Sequence, residues 1–189
     1  MVVCTNFIEK SNQCELVIFD LDGTIHSHKD IHDTDAVLKK DIYDIFECLK
    51  KNNIKIALVS LNSVATKYLK RYNIFDYFDY IEYKNWKVHG DSKIDLFDFI
   101  QKKSNISYEN MLFFDDREYH CIEATNLKIK SKIVNREDLL TWNDISDGFS
   151  LFNQILKRQD NISTFISTNT QTFLPEYKNT KKRNIQLIT

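Results

Sequence analysis

The stretch Leu16-Val17-Ile18-Phe19-Asp20-Leu21-Asp22-Gly23-Thr24 decides how the rest of the chain is read. Its apolar half, Leu16 to Phe19, predicts a strand buried on both faces. Gly23 ends that strand and lets the chain turn. Asp20 and Asp22 then stand at the carboxyl end of a buried strand, where open α/β sheets place their ligands. Carboxylates are costly there unless a metal or hydrogen bonds compensate them. Asp-x-Asp-Gly-Thr fixes four residues, so a chance match in a chain this long is about one in a thousand.

Working outward, three more apolar strands each lead to polar or charged residues. Ile54 to Val59 ends at Ser60, followed by Leu61-Asn62-Ser63. Asp79 to Tyr83 leads through a loop, 84–91, to Gly90-Asp91-Ser92-Lys93 at a predicted helix start. Met111 to Phe114 ends at Asp115-Asp116. A Ser hydroxyl can hydrogen-bond a transferring phosphoryl oxygen, although Ser after a strand also serves as a helix cap. A Lys at a helix start adds its charge to the positive helix end, and both favour phosphate. Acids, Ser, Lys and acids thus close successive elements at intervals of 60−22 = 38, 93−60 = 33 and 115−93 = 22 residues. Each interval fits one strand–helix unit with its loops.

The intervening helices are predicted at about 35–52, 62–72, 92–103, 117–125 and 149–158, with a fifth strand at Ile129 to Val134. Leu38, Ile42, Ile45 and Leu49 give the first helix one apolar face, Thr34 or Asp35 can cap it, and Asn52-Asn53 suits its left-handed stop. Strands alternating with helices imply a parallel sheet with right-handed crossovers. The fold expected is α/β: three layers, Rossmann-like, a five-stranded parallel sheet with helices on both faces. About 38 residues separate the first two motifs and a helix takes half of them, so no substantial cap domain fits. The expected organisation is a lead-in over 1–15, a single α/β domain over 16–159 and a partly mobile tail over 160–189.

The motifs resemble those of the haloacid dehalogenase superfamily, whose first motif is an apolar strand followed by Asp-x-Asp-x-Thr. The superfamily is mostly phosphatases working through an aspartyl-phosphate. The resemblance implies Asp20 as nucleophile, Asp22 as general acid and base, and Ser60, Asn62 and Lys93 as phosphate-binding residues. It implies Mg²⁺ held by Asp20, Asp115, Asp116 and the backbone carbonyl of Asp22. The strands ending at Asp20 and Asp115 should then be adjacent, with the two carboxylates within reach of one ion. Asp22 points to phosphoester hydrolysis, since dehalogenases and phosphonatases lack this second acid. Among uncapped members the chain most resembles the magnesium-dependent phosphatase family, an acid-phosphatase-like group. Residues 16–155 carry the likeness, notably Gly90 to Lys93, Met111 to Glu118 and Asp147-Gly148-Phe149-Ser150. That family is described as acting on phosphotyrosine and on phosphorylated sugar adducts. Ala124-Thr125-Asn126-Leu127 lacks the Gly usual there, and no Arg follows Ser60 closely.

Composition narrows the partners. The chain has 189 residues, 42% of them hydrophobic and 28% charged, with a formal net charge of −1. That balance gives no general surface for nucleic acid or membranes, and no apolar run reaches transmembrane length. Lys181-Lys182-Arg183 is too short to argue otherwise. Cys4, Cys14, Cys48 and Cys121 have no metal-ligand spacing and read as reduced thiols. With no signal peptide pattern, a cytoplasmic location is expected. His26, His28 and His32 read as a solvated loop, with a substrate rim as the other reading, and Trp86 and His89 as the mouth of the site or as packing. The partner expected is a phosphorylated small molecule or a phosphoprotein, with oligomeric state unread. Two rivals are a nucleotide or polynucleotide-end phosphatase and a catalytically weak binding protein of the same fold, though binding alone does not need Asp22.

Overall fold

Five short segments become five parallel strands in the computed structural model, which describes residues 13–27 and 38–152. They are β1 (Leu16–Phe19), β2 (Lys55–Ser60), β3 (Tyr80–Tyr83), β4 (Met111–Asp115) and β5 (Lys130–Ile133). Between them run α1 (Asp41–Lys51), α2 (Ala65–Arg71), the single turn α3 (Trp86–His89), α4 (Ile94–Ser104) and α5 (Glu118–Asn126). Residues 142–152 form α6. The sheet order is β3-β2-β1-β4-β5. The chain winds outward from β1 through β2 to β3, then crosses to β4 and β5 on the other side. The crevice where that order reverses, between β1 and β4, is the ligand position of doubly wound sheets.

Successive strand residues point to opposite faces, and the two cores divide accordingly. Val17, Phe19, Ile56, Leu58, Leu112 and Phe114 pack with Ile42, Ile45 and Leu49 of α1, Leu69 of α2 and Phe149 of α6. Leu16, Ile18, Ala57, Val59, Met111 and Phe113 pack with Leu96, Phe97 and Ile100 of α4 and Ala124 of α5. β1 is fully buried along its length, as its unbroken apolar run requires. The expected three-layer α/β fold is therefore the fold observed, and no cap domain occurs among the described residues.

Several boundaries differ from the sequence expectation, each for a local reason. The described part of the first helix starts at Asp41, and Leu38 instead forms an antiparallel bridge with His26. Its left-handed stop is Asn53, at φ 58°. α2 starts three residues late because Asn62 makes a turn first: its Oδ1 accepts the Val64 N–H at 3.0 Å. The 84–91 loop contains the turn α3. α6 starts seven residues before the expected 149, behind a reciprocal cap. Asp144 Oδ2 accepts the Thr141 N–H at 2.9 Å, and Thr141 Oγ1 accepts the Asp144 N–H at 3.2 Å. Cys14 and Cys121 are free and buried, while Cys48 is disulfide-bonded, counter to four reduced thiols. The Thr34 or Asp35 cap, His28, His32, Cys4, the side chain of Trp86, the end of the last helix and the 160–189 tail lie outside the described residues. No described helix is long and apolar enough to cross a membrane.

Candidate active site

Register brings the two acidic motifs together. Phe19 pairs with Phe114 across β1 and β4, and the Asp20 N–H donates to the Phe114 carbonyl at 2.9 Å. Asp20 and Asp115 therefore leave neighbouring strand ends side by side. Carboxylate oxygens of Asp20, Asp115 and Asp116 all lie within 4.8 Å of one another. Gly23 makes this packing possible. Its φ of +82° suits glycine, and a Cβ there would stand 2.7 Å from Asp116 Oδ2.

Lys93 enters from the N-terminal end of α4, 1% exposed. Its Nζ donates to Asp20 Oδ1 at 2.5 Å and to Asp115 Oδ2 at 2.6 Å. Its own N–H donates to Glu123 Oε2 at 2.9 Å, which fixes the helix start over the site. Lys84, at the start of the 84–91 loop, pairs with Asp95 instead. Ser60 is fully buried, and its Oγ accepts the Asn62 N–H at 3.2 Å. Asn62 Nδ2 reaches Asp22 Oδ2 at 3.0 Å and Oδ1 at 3.2 Å. Its amide therefore grips the second acid.

Three residues with no motif around them also belong to the site. His120 is buried, with Nδ1 3.1 Å from Asp115 Oδ2 and Nε2 2.9 Å from the Asp91 carbonyl. Glu123 carries Lys93, as above. His26, expected in a solvated loop, is fully buried against Asp22, with Nε2 2.8 Å from Asp22 Oδ1. His120 and Glu123 are polar positions on the inner face of α5, legible only once that face is known. For His26 the signal was distance: four residues from Asp22, within reach if the loop folds back. His89 is exposed. Cys121 is a buried thiol pushed up to about 12, chiefly by burial, as suits an inert core residue.

Charge in the site does not balance. Burial pushes the Asp20 carboxyl well above the usual range, with repulsion from Asp115 adding to it, although Lys93 opposes both. Burial works against the Lys93 ammonium, but Asp20 and Asp115 outweigh it and raise Lys93. Burial also opposes ionisation of Asp115, yet Lys93 and His120 pull it down to about 2. Asp116 is raised by burial and by Asp115. Lys93 joins Asp20 and Asp115, Arg136 lies 3.5 Å from Asp116, and the surplus negative charge falls on Asp20. A hard divalent cation fits this donor set: three clustered carboxylates, oxygen donors only, with charge left to neutralise. The cluster opens into a cleft of about 530 Å³, lined also by Asp22, Asn62, Tyr68, Lys87, Arg117 and Arg136.

Solved structures share this fold. A HAD-superfamily hydrolase from Ehrlichia chaffeensis superposes at TM-score 0.55 and 16% identity, covering 76% of this chain and 98% of that one. An uncharacterized protein from Listeria monocytogenes serotype 4b gives 0.60 and 19%, covering 74% and 98%. The N-terminal part of BF1531 from Bacteroides fragilis, containing a phosphatase domain complexed with Mg, gives 0.56 and 20%, covering 75% and 42%. The fold is that of the haloacid-dehalogenase-like hydrolases. The Acid Phosphatase family profile matches residues 26–155, well over half of the chain, and the chain belongs to that family. It is a phosphoric monoester hydrolase; Asp20 and Asp22 stand just ahead of the matched span. No curated protein sequence matches it.

Proposed function

We propose that this phosphatase hydrolyses phosphate monoesters in two steps through an aspartyl-phosphate on Asp20, with Mg²⁺ bound. The observation that carries the reading is Lys93, whose ammonium joins Asp20 to Asp115 at the β1/β4 crevice and faces the open cleft. An Asp20 oxygen attacks phosphorus, the bond to the leaving oxygen breaks, and Asp22 gives that oxygen its proton. Water then attacks the same phosphorus, Asp22 takes a proton from it, and the bond to Asp20 breaks, releasing phosphate. An ammonium has three donors; two serve Asp20 and Asp115, and the third serves a phosphoryl oxygen. Ser60 supplies a hydroxyl to the phosphate, and Asn62 acts at the same phosphate while holding Asp22.

Asp20, Asp115 and Asp116 would hold Mg²⁺ with the Asp22 backbone carbonyl. The ion, when bound, supplies positive charge that lets an anionic phosphate approach Asp20. A cleft with no cap among the described residues fits a phosphotyrosine side chain on a protein or a sugar phosphate, handled in the cytoplasm.

Hydrolysis of 4-nitrophenyl phosphate should vanish in chelator, return with Mg²⁺ and recover poorly with Ca²⁺, which takes more ligands in looser geometry. Full activity in chelator refutes the reading.

A further inference from the structure

His26 ends a loop that folds back on the strand it has just left. The His26 N–H donates to the Leu21 carbonyl at 3.3 Å, and the Gly23 N–H donates to the His26 carbonyl at 2.9 Å. Backbone bridges join residue 26 to Asp22 on one side and Leu38 on the other. The ring is therefore set beside the Asp22 carboxylate by main-chain bonding, not by chance contact. Nε2 lies 2.8 Å from Asp22 Oδ1, and Nδ1 lies 3.2 Å from the Tyr72 hydroxyl. The rings of Tyr68 and Tyr72 pack on it with centroids at 4.9 and 5.7 Å.

The partners assign the donors. A carboxylate can only accept, so His26 Nε2 carries a proton and donates it to Asp22. In the neutral ring Nδ1 then accepts the Tyr72 O–H, and in the charged ring it donates to the Tyr72 oxygen. The chain of hydrogen bonds is satisfied from end to end, which a fully buried imidazole requires. Asn62 grips the same carboxylate from the β2–α2 loop and is held by the Val64 N–H. A Phe at position 26 would fill the same space against the two tyrosines. Packing alone does not explain a polar ring aligned between a phenol and an acid.

We propose that His26 is the positioning residue for proton transfer by Asp22, with Tyr72 holding the imidazole in register. The inference rests on the acid–base reading of Asp22 given above. An aspartate on a loop has free side-chain torsions, and proton transfer needs its oxygen within hydrogen-bond reach of the leaving group and later of the water. His26 removes that freedom at Oδ1. It touches no reacting atom, so its loss should weaken proton delivery and leave the attack by Asp20 alone.

The test compares His26→Phe, His26→Gln, Tyr72→Phe and Asp22→Asn on two substrates with Mg²⁺. Release of nitrophenolate from 4-nitrophenyl phosphate in the first turnover needs little protonation. Turnover of glycerol phosphate, an alkyl ester, needs the proton. His26→Phe should keep the first-turnover rate within about 3-fold. It should lower kcat on the alkyl ester by roughly 10–100-fold, the usual cost of losing an orienting hydrogen bond, with KM little changed. His26→Gln, which can still donate, should recover part of that loss. Tyr72→Phe removes one hydroxyl and should shift the ratio the same way by a few-fold. Equal losses on both substrates, or none, overturn the proposal. If His26→Phe does not melt cooperatively, Tyr72→Phe decides, and an unchanged ratio there overturns it. If Asp22→Asn itself shows no preference between the esters, the acid–base reading fails and the proposal falls with it. If Asp22→Asn is selective and the His26 and Tyr72 variants are not, only the proposal fails.

Discussion

Replacing the proposed nucleophile should make the metal-free protein more stable. Asp20→Asn removes one negative charge from a buried cluster. At an effective dielectric of about 20, the Lys93 contact at 2.5 Å attracts ionised Asp20 by about 7 kcal/mol. Asp115 and Asp116, with oxygens no farther than 4.8 Å, each repel it by at least about 3.5 kcal/mol. Attraction and repulsion cancel, and the desolvation cost of a buried carboxylate remains unmatched. The amide carries no such cost, and Lys93 keeps its bond to Asp115. The expected gain at pH 7 in chelator is about 1–2 kcal/mol, within the range usual when a strained site is relieved. For a chain of this size that is about 3–6 °C in Tm.

The pH dependence supplies the sign. Asp20 is raised in the folded state, so the folded protein holds this proton more tightly than the unfolded chain. Stability from that proton is full below the unfolded pKa and is lost as pH rises through the folded pKa. Asp20→Asn does not titrate, so its advantage should grow with pH in that window and close in acid. Mg²⁺ should reverse the order. At a hundredfold excess over its Kd it adds about 2.7 kcal/mol to the wild type, and far less to a variant with a neutral ligand in place of a carboxylate. Thermal melts across pH, with chelator and with Mg²⁺, give all four curves. A variant less stable than wild type in chelator at pH 7, or a gap independent of pH, would refute the charge argument.

Two further outcomes concern the scaffold. Asp79 Oδ2 accepts the Ile56 N–H at 2.9 Å and Lys50 Nζ at 2.8 Å. Burial opposes its ionisation, but these partners and Lys55 hold the carboxyl below the usual range. Asp79→Asn should cost about 1–2 kcal/mol at neutral pH, and the gap should close as pH falls through the depressed pKa; urea melts at neutral and acid pH check it. Gly148→Ala should destabilise by about 1–3 kcal/mol although alanine is the better helix former, because its Cβ would meet Phe114 Cζ at 2.7 Å in a closed core. A stabilised variant would show that the ring can move aside.

The fold was legible because its signals are one-dimensional. Leu16 to Phe19 and Met111 to Phe114 are apolar without a break, and a strand buried on both faces needs nothing more. Helix starts were less legible because contacts between distant residues set them. Leu38 has the spacing of a helical position, but its backbone pairs with His26, twelve residues earlier. Asn62 extends the apparent helix by composition, yet its side chain spends its acceptor on Val64 and so delays α2. The start of α6 was readable, since Thr141-x-x-Asp144 has capping-box spacing, and the weak apolar pattern around it concealed the signal.

The site divides along the same line. Asp20, Asp22, Lys93 and Asp115 sit at the ends of elements, so their convergence follows from the sheet order once β1 is central. The residues that support them sit inside elements or in a folded-back loop, where position in the chain says little about neighbours. Glu123 lies in the last turn of α5, yet it holds the backbone of Lys93, thirty residues earlier. His26 shows the difference most sharply. Composition places it among polar loop residues, yet two main-chain hydrogen bonds and a bridge to Leu38 fold the loop back, and the ring is buried. Once buried, an imidazole must match both nitrogens, and the groups it finds are Asp22 and Tyr72. A polar residue that a fold buries completely beside a reactive acid costs stability unless its bonds are met, so the bonds it makes are the place to look for what it does.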